Sequence, residues 1–256
     1  MAELLANGIR IHYQDSGAGD AVLLTHGYAA TGEMWDSQRE ALGGAGYRLI
    51  TWDMRGHGRT DSPEDPAQYS EELTIADMAA LLDTLGVDRA VVGGLSLGGY
   101  MSLAFYREHP QRVRALVLCD TGPGYRNPEA RAGWNRAAEK RARDFEERAL
   151  AALGRSAEVR AAAGHHRSAQ GLAHAARGML AQFDSRVIDS LADISVPTLV
   201  IVGELDEPFR GASDYMSAKI PGARLELIAG AGHAANIDNP DAFNRVLIDF
   251  LGSLPR

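Results

Sequence analysis

Short apolar runs recur along the chain, at residues 9–13, 21–25, 47–52, 90–93, 115–119, 198–202 and 224–228. Several are apolar at successive positions rather than alternate ones, the pattern of parallel strands covered on both faces. Between them the period changes. Leu73, Ala76, Ala80, Leu81 and Leu85 fall at helical spacing, and residues 97–108 and 240–251 also read as helices. Strand and helix in alternation predict βαβ units, hence an α/β fold with a mostly parallel, doubly wound sheet.

The alternation stops between residues 121 and 195, where Ala, Arg and Glu dominate and no strand pattern appears. This stretch is expected to form a helical cap, inserted into a core made of residues 1–120 and 196–256. Asn127 before Pro128 supplies an N-cap and a first-turn proline, and Trp134, Ala138, Phe145, Ala149 and Leu153 follow at helical intervals. Leu172, Ala176, Met179 and Phe183 predict a second cap helix, and Pro197 marks the return to strand. Glu139 with Arg143 and Asp144 with Arg148 stand four apart, so the charge here reads as a solvated, salt-bridged helix face.

A length of 256 residues suits one domain with an insertion, and 45% hydrophobic with 23% charged residues describes a chain that folds. The 26 Lys+Arg against 34 Asp+Glu give a formal charge of −8, the wrong sign for a protein that binds by neutralising phosphates, so no nucleic-acid partner is expected. The one cysteine, Cys119, allows neither an intramolecular disulfide nor a Cys-rich metal site and reads as a buried strand-end thiol. The N-terminal stretch MAELLANGIR lacks the basic start and apolar run of a signal peptide, and no apolar stretch is long enough to span a membrane. The expectation is a cytoplasmic protein, monomeric or homodimeric.

Gly94-Leu95-Ser96-Leu97-Gly98 matches G-x-S-x-G, with the strand pattern of residues 90–93 directly before it and a helical stretch directly after. That context gives the motif its meaning. In a nucleophile elbow a serine in a strained turn is lifted clear of the sheet edge, and the flanking glycines leave room for the turn. A serine hydroxyl needs a neutral imidazole to take its proton. His233 is the best placed of the eight histidines, in a glycine-rich loop just after the 224–228 strand. His26 and His57 sit in turns and read as architectural. His165, His166 and His174 fall in the cap without metal-site companions, and His12 and His109 read as surface or strand-edge residues. The elbow geometry makes the N–H of Leu97 one donor for the oxygen that becomes negative in acyl transfer.

With these motifs the chain resembles the α/β-hydrolase superfamily, in its small esterase and lactonase-like branch with a helical cap. The likeness spans almost the whole length and is carried by Thr25-His26-Gly27-Tyr28, Asp53-Met54-Arg55-Gly56-His57-Gly58, the elbow at Ser96, Gly203-Glu204-Leu205-Asp206 and Gly230-Ala231-Gly232-His233. It implies Asp206 as the carboxylate that orients His233, in the chain order Ser, Asp, His, with Asp120 as the rival because some members carry their acid after that strand. It places the second oxyanion donor at the N–H of Tyr28. Glu204 is expected to orient the acid loop or face solvent. Trp35, Trp134, Phe145 and Phe209 are candidates for an apolar substrate pocket, against the plainer reading of core packing.

The implied activity is hydrolysis of a small, uncharged carboxylic ester or lactone through an acyl-serine intermediate, with no cofactor and no metal. Serine at the elbow disfavours haloalkane dehalogenases and epoxide hydrolases, which need a carboxylate there. Leu95 and Ala234 disfavour carbon–carbon bond hydrolases, which have asparagine and tryptophan at those places. The alternatives are an enol-lactone hydrolase of aromatic catabolism, which Met34-Trp35-Asp36 and the lid tryptophan resemble, and a hydrolase-fold receptor for a small molecule with little turnover.

Overall fold

The computed structural model describes residues 2–161 and 163–255. Its strands are β1 (Ala2–Ala6), β2 (Ile9–Gly17), β3 (Asp20–Thr25), β4 (Tyr47–Trp52), β5 (Ala90–Leu95), β6 (Val113–Cys119), β7 (Thr198–Gly203) and β8 (Arg224–Ile228). They form one eight-stranded sheet in the order β1-β2-β4-β3-β5-β6-β7-β8. The β1–β2 and β2–β4 pairs are antiparallel, and all others are parallel.

Central β5 pairs with β3 through Thr25↔Gly94 and with β6 through Leu95↔Cys119, and every one of its residues is buried. A strand covered on both faces has no polar side, which is why its sequence runs apolar without alternation. Because the parallel strands share one direction, the loops leaving β3, β5, β6, β7 and β8 gather at one edge of the sheet.

The helices are α1 (Asp36–Gly44), α2 (Glu71–Thr84), α3 (Leu97–Glu108), α4 (Pro128–Arg148), α5 (Ala157–Arg160), α6 (Ala169–Ala175), α7 (Arg186–Asp189), α8 (Glu207–Lys219), α9 (Ala235–Asp238) and α10 (Pro240–Ser253). Two large cores result. One joins Leu23, Val92 and Leu118 of the sheet to Met78, Phe105 and Met216 of α2, α3 and α8. The other joins Leu24, Val117 and Ile201 to Leu42, Phe243 and Leu247 of α1 and α10. A smaller core of Ala142, Phe145, Val159, Leu172 and Ala176 lies within the cap and takes in Ala29 from the loop after β3. Arg55 and Asp77, both with fully buried side chains, form a two-bonded ion pair at 2.8 Å.

The hydrophobic pattern does not announce β1, α1 or α8. The two helices bury only Gln38 with Leu42, and Ser213 with Met216, too few apolar positions to set a period. α4 begins as expected, with Asn127 Oδ1 accepting from the N–H groups of Glu129 (2.8 Å) and Ala130 (3.2 Å). It ends at Arg148 because Ala149 takes φ 50°, so Ala149 and Leu153 leave the helix. α6 continues into a π-helical turn (Ala176–Leu180), and Phe183 lies beyond it, 72% exposed. Asp144 pairs with Lys140 rather than with Arg148. Among the described residues no helix is long and apolar enough to cross a membrane.

Candidate active site

β5 ends at Leu95 and α3 begins at Leu97, so Ser96 alone makes the reversal, at φ 53° and ψ −114°. A positive φ at a non-glycine residue costs on the order of 1–3 kcal/mol and persists only where the surroundings enforce it. Here the Ser96 N–H donates to Cys119 O (3.0 Å), and the Ser96 carbonyl accepts from the Tyr100 N–H (3.1 Å) and the Thr121 hydroxyl (2.6 Å). A Cβ on Gly94 would come within 2.5 Å of Thr25 O, and one on Gly98 within 2.2 Å of the same atom. Both motif glycines are thus demanded by the close approach of α3 to the end of β3.

Asp206 stands between β7 and α8, and His233 in the loop between β8 and α9. Adjacent β7 and β8 bring the two together: His233 Nδ1–H donates to Asp206 Oδ2 at 2.8 Å. That bond holds the proton on Nδ1 and leaves Nε2 free to accept. Phe209 stacks on the imidazole with centroids 4.9 Å apart. Burial alone would lower the His233 pKa. The hydrogen bond and charge of Asp206, with the charges of Asp120 and Glu158, outweigh it and hold the pKa above the ordinary value. Glu204 accepts from the Gly230 N–H at 2.8 Å, tying the acid loop to the histidine loop.

The rival acid has a different place. Asp120, fully buried at φ 43°, accepts from the N–H of Gly203 (2.7 Å) and of Ala235 (3.3 Å) and makes no bond to His233. It joins the ends of β6 and β7 to the start of α9, and burial pushes its carboxyl above the usual carboxylate range.

Ser96, Asp206 and His233 line one cavity of about 560 Å³, together with Tyr28, Trp134, Phe145 and Phe209. His233 is hydrogen-bonded to Asp206 and not to Ser96. A narrower chamber of about 80 Å³ adjoins it, also bounded by Ser96 and lined by Leu97, Tyr100, Tyr125 and Gln182; Trp134 and Phe209 border both. Trp35 does not reach either chamber. The turn Gly32–Trp35 directs its ring into the core on the α1 and α10 face, 6.1 Å from Phe243, where it fills volume.

The loop after β3 makes a turn closed by the Ala30 N–H on Gly27 O at 3.1 Å, and His26 Nδ1–H donates to the same oxygen at 2.6 Å. The Gly27 carbonyl and the Tyr28 N–H belong to one planar peptide and point opposite ways, so holding the first aims the second. Among the described residues the Tyr28 N–H meets no backbone acceptor. Leu97 opens α3, where the first N–H groups have no intrahelical partner. The Tyr28 hydroxyl is engaged elsewhere, donating to Leu172 O of the cap at 2.8 Å.

The profile of the family described as alpha/beta hydrolase fold matches residues 20–240. The chain belongs to that family. A solved thermophilic esterase from Thermogutta terrifontis is 30% identical, with a TM-score of 0.82 and 98% of each chain covered. The enol-lactonase from Burkholderia xenovorans LB400 is 28% identical, with a TM-score of 0.78 over 98% of this chain and 100% of its own. A Bacillus subtilis (strain 168) protein provisionally named 2-succinyl-6-hydroxy-2,4-cyclohexadiene-1-carboxylate synthase is 28% identical over 98% of this chain and 97% of its length.

In this alpha/beta hydrolase the remaining histidines divide by burial. His26 and His57 are fully buried in the turns after β3 and β4, and burial brings the His26 pKa down to about 4. His12 is not a surface residue: it is 5% exposed, with Nδ1 3.3 Å from Asp53 Oδ2. Among the described residues no three His, Cys, Asp or Glu side chains converge as a metal site would require. Burial pushes the Cys119 thiol up, away from the reactive thiolate form.

Proposed function

We propose that this alpha/beta hydrolase cleaves small carboxylic esters or lactones through an acyl-serine intermediate. The observation that carries the reading is a strained serine on an elbow, facing the same cavity as an imidazole whose Nδ1 is held by a buried carboxylate. His233 Nε2 takes the Ser96 proton as Oγ bonds the carbonyl carbon, and hands it to the leaving oxygen as the tetrahedral intermediate collapses. Water, activated in turn by His233, then attacks the acyl-serine and releases the acid, restoring the serine. The N–H groups of Tyr28 and Leu97 stabilise the oxygen that becomes negative; one such donor contributes roughly 2.7–4 kcal/mol to the transition state. Proton transfer requires Ser96 Oγ and His233 Nε2 to come within about 2.6–3.2 Å of each other.

The two chambers divide the substrate. His233 lines the wide chamber and must reach the leaving oxygen, so the alcohol half belongs there and the acyl group in the narrow one. Similarity to the Thermogutta esterase and the Burkholderia enol-lactonase supports the ester and lactone class. The test is hydrolysis of p-nitrophenyl acetate and butyrate by the wild type and Ser96→Ala, with fluorophosphonate labelling of both. Sustained turnover and labelling lost in the variant are expected; turnover that survives the substitution overturns the reading.

A further inference from the structure

Besides the Tyr28–Leu172 bond and the packing of Ala29, one cap imidazole grips the backbone of the turn that carries Tyr28. His166, on the connection before α6, is 6% exposed, with Nε2 2.9 Å from the carbonyl oxygen of Ala29 and Nδ1 3.0 Å from the amide nitrogen of Gly58. A carbonyl only accepts and an amide N–H only donates, so these partners assign the proton to Nε2, leave Nδ1 bare and keep the ring neutral. Burial acts the same way, lowering the pKa of this imidazole from its ordinary value.

The Ala29 carbonyl shares a peptide plane with the Ala30 N–H, which donates to Gly27 O at 3.1 Å, and the Gly27 carbonyl shares the next plane with the Tyr28 N–H. The donors Gly58 N–H, His166 Nε2–H, Ala30 N–H and Tyr28 N–H therefore run head to tail, and the last is left for the oxyanion. Ala29 sits at φ 58°, a conformation that this turn position ordinarily reserves for glycine. The turn thus carries strain of its own and is held from outside.

We propose that His166 is a positioning residue for the oxyanion site: the cap imidazole grips the Ala29 carbonyl and, through two peptide groups, aims and polarises the Tyr28 N–H. This rests on the acyl-serine reading above. Aligned hydrogen bonds polarise one another, so the last donor in the chain is strengthened as well as fixed. The oxygen it serves gains full charge only in the transition state, so losing the grip lowers kcat and leaves KM in place.

The test compares His166→Gln with His166→Asn on p-nitrophenyl butyrate. Glutamine carries its amide nitrogen about as far out as Nε2 and still donates to Ala29, whereas asparagine reaches only as far as Nδ1. The Gln variant is expected within about threefold of wild-type kcat, and the Asn variant about tenfold or more below it with KM within about twofold, against roughly 10²–10³ for outright loss of an oxyanion donor. Adding Ala29→Gly to His166→Asn relaxes the turn and should recover part of the lost kcat. Equal kcat in the two variants, a loss that appears in KM, or a loss that follows the unfolded fraction seen by circular dichroism at the assay temperature would each overturn the proposal. Turnover surviving in Ser96→Ala would instead remove the underlying reading, whatever the His166 variants do.

Discussion

Replacing Asp206 with asparagine keeps the shape of the side chain and removes the charge that faces His233 at 2.8 Å. In the transition state the ring is an imidazolium beside a carboxylate that is only 4% exposed. For charge centres about 4 Å apart at an effective dielectric near 20, that attraction is about 4 kcal/mol. At about 1.36 kcal/mol per decade this predicts a loss of roughly a thousandfold in kcat/KM. The amide also turns an N–H toward Nδ1 and favours the tautomer with the proton on Nε2, where it blocks the base. The pH profile carries a second signature. Activity needs the neutral ring, and the pKa of His233 lies above its ordinary 6.5, so wild-type activity falls as pH drops through that raised value. Without the Asp206 charge, burial dominates and the acid limb moves to lower pH even as the plateau falls. The assay is p-nitrophenyl butyrate hydrolysis between about pH 5 and pH 9, with Asp120→Asn in parallel. A limb that stays where it was, a loss under about tenfold, or the full effect appearing in Asp120→Asn instead would refute the assignment.

Four further outcomes are expected. Gly98→Ala puts a Cβ 2.2 Å from Thr25 O and should lower stability by about 1–3 kcal/mol as well as activity, read as a lower melting temperature; an unchanged melt would contradict the packing argument. Arg55→Ala strands the buried Asp77 carboxylate, and urea unfolding should show a loss of about 3–5 kcal/mol, with less than about 1 kcal/mol speaking against a tightly coupled pair. With the acyl group in the chamber of about 80 Å³, acetyl and butyryl esters should outpace octanoyl esters. Trp134 borders both chambers, so Trp134→Ala should raise the octanoyl-to-acetyl ratio by about tenfold, and an unaltered ratio would move the acyl group elsewhere.

Much of the fold was legible because its signals are local. Strands β4 and β8 and helix α3 match the patterned stretches residue for residue; β4 and α3 are largely buried and so run apolar, whereas β8 is the edge strand and owes its apolar Leu225, Leu227 and Ile228 to alternation as much as to burial. β1, α1 and α8 bury too little to leave a pattern. Ser96 was readable for the same reason as α3: strand, turn and helix are consecutive residues, and the glycines mark the approach of the backbone. Asp206 and His233 stood as loop residues of the right type, but their bond depends on β7 lying next to β8.

The chain by itself determined most of the segments that form strands and helices, and where the backbone must turn sharply, because sterics and hydrophobic period act over a few residues. Only the tertiary structure decided between like residues: Trp35 in the core and Trp134 on the cavity, Asp120 on backbone amides and Asp206 on the imidazole. His166 shows the difference most plainly. No local pattern marks it, and it acquires a partner 137 residues away only when the whole cap docks, because a hydrogen bond across the fold is fixed by the packing of everything between its ends.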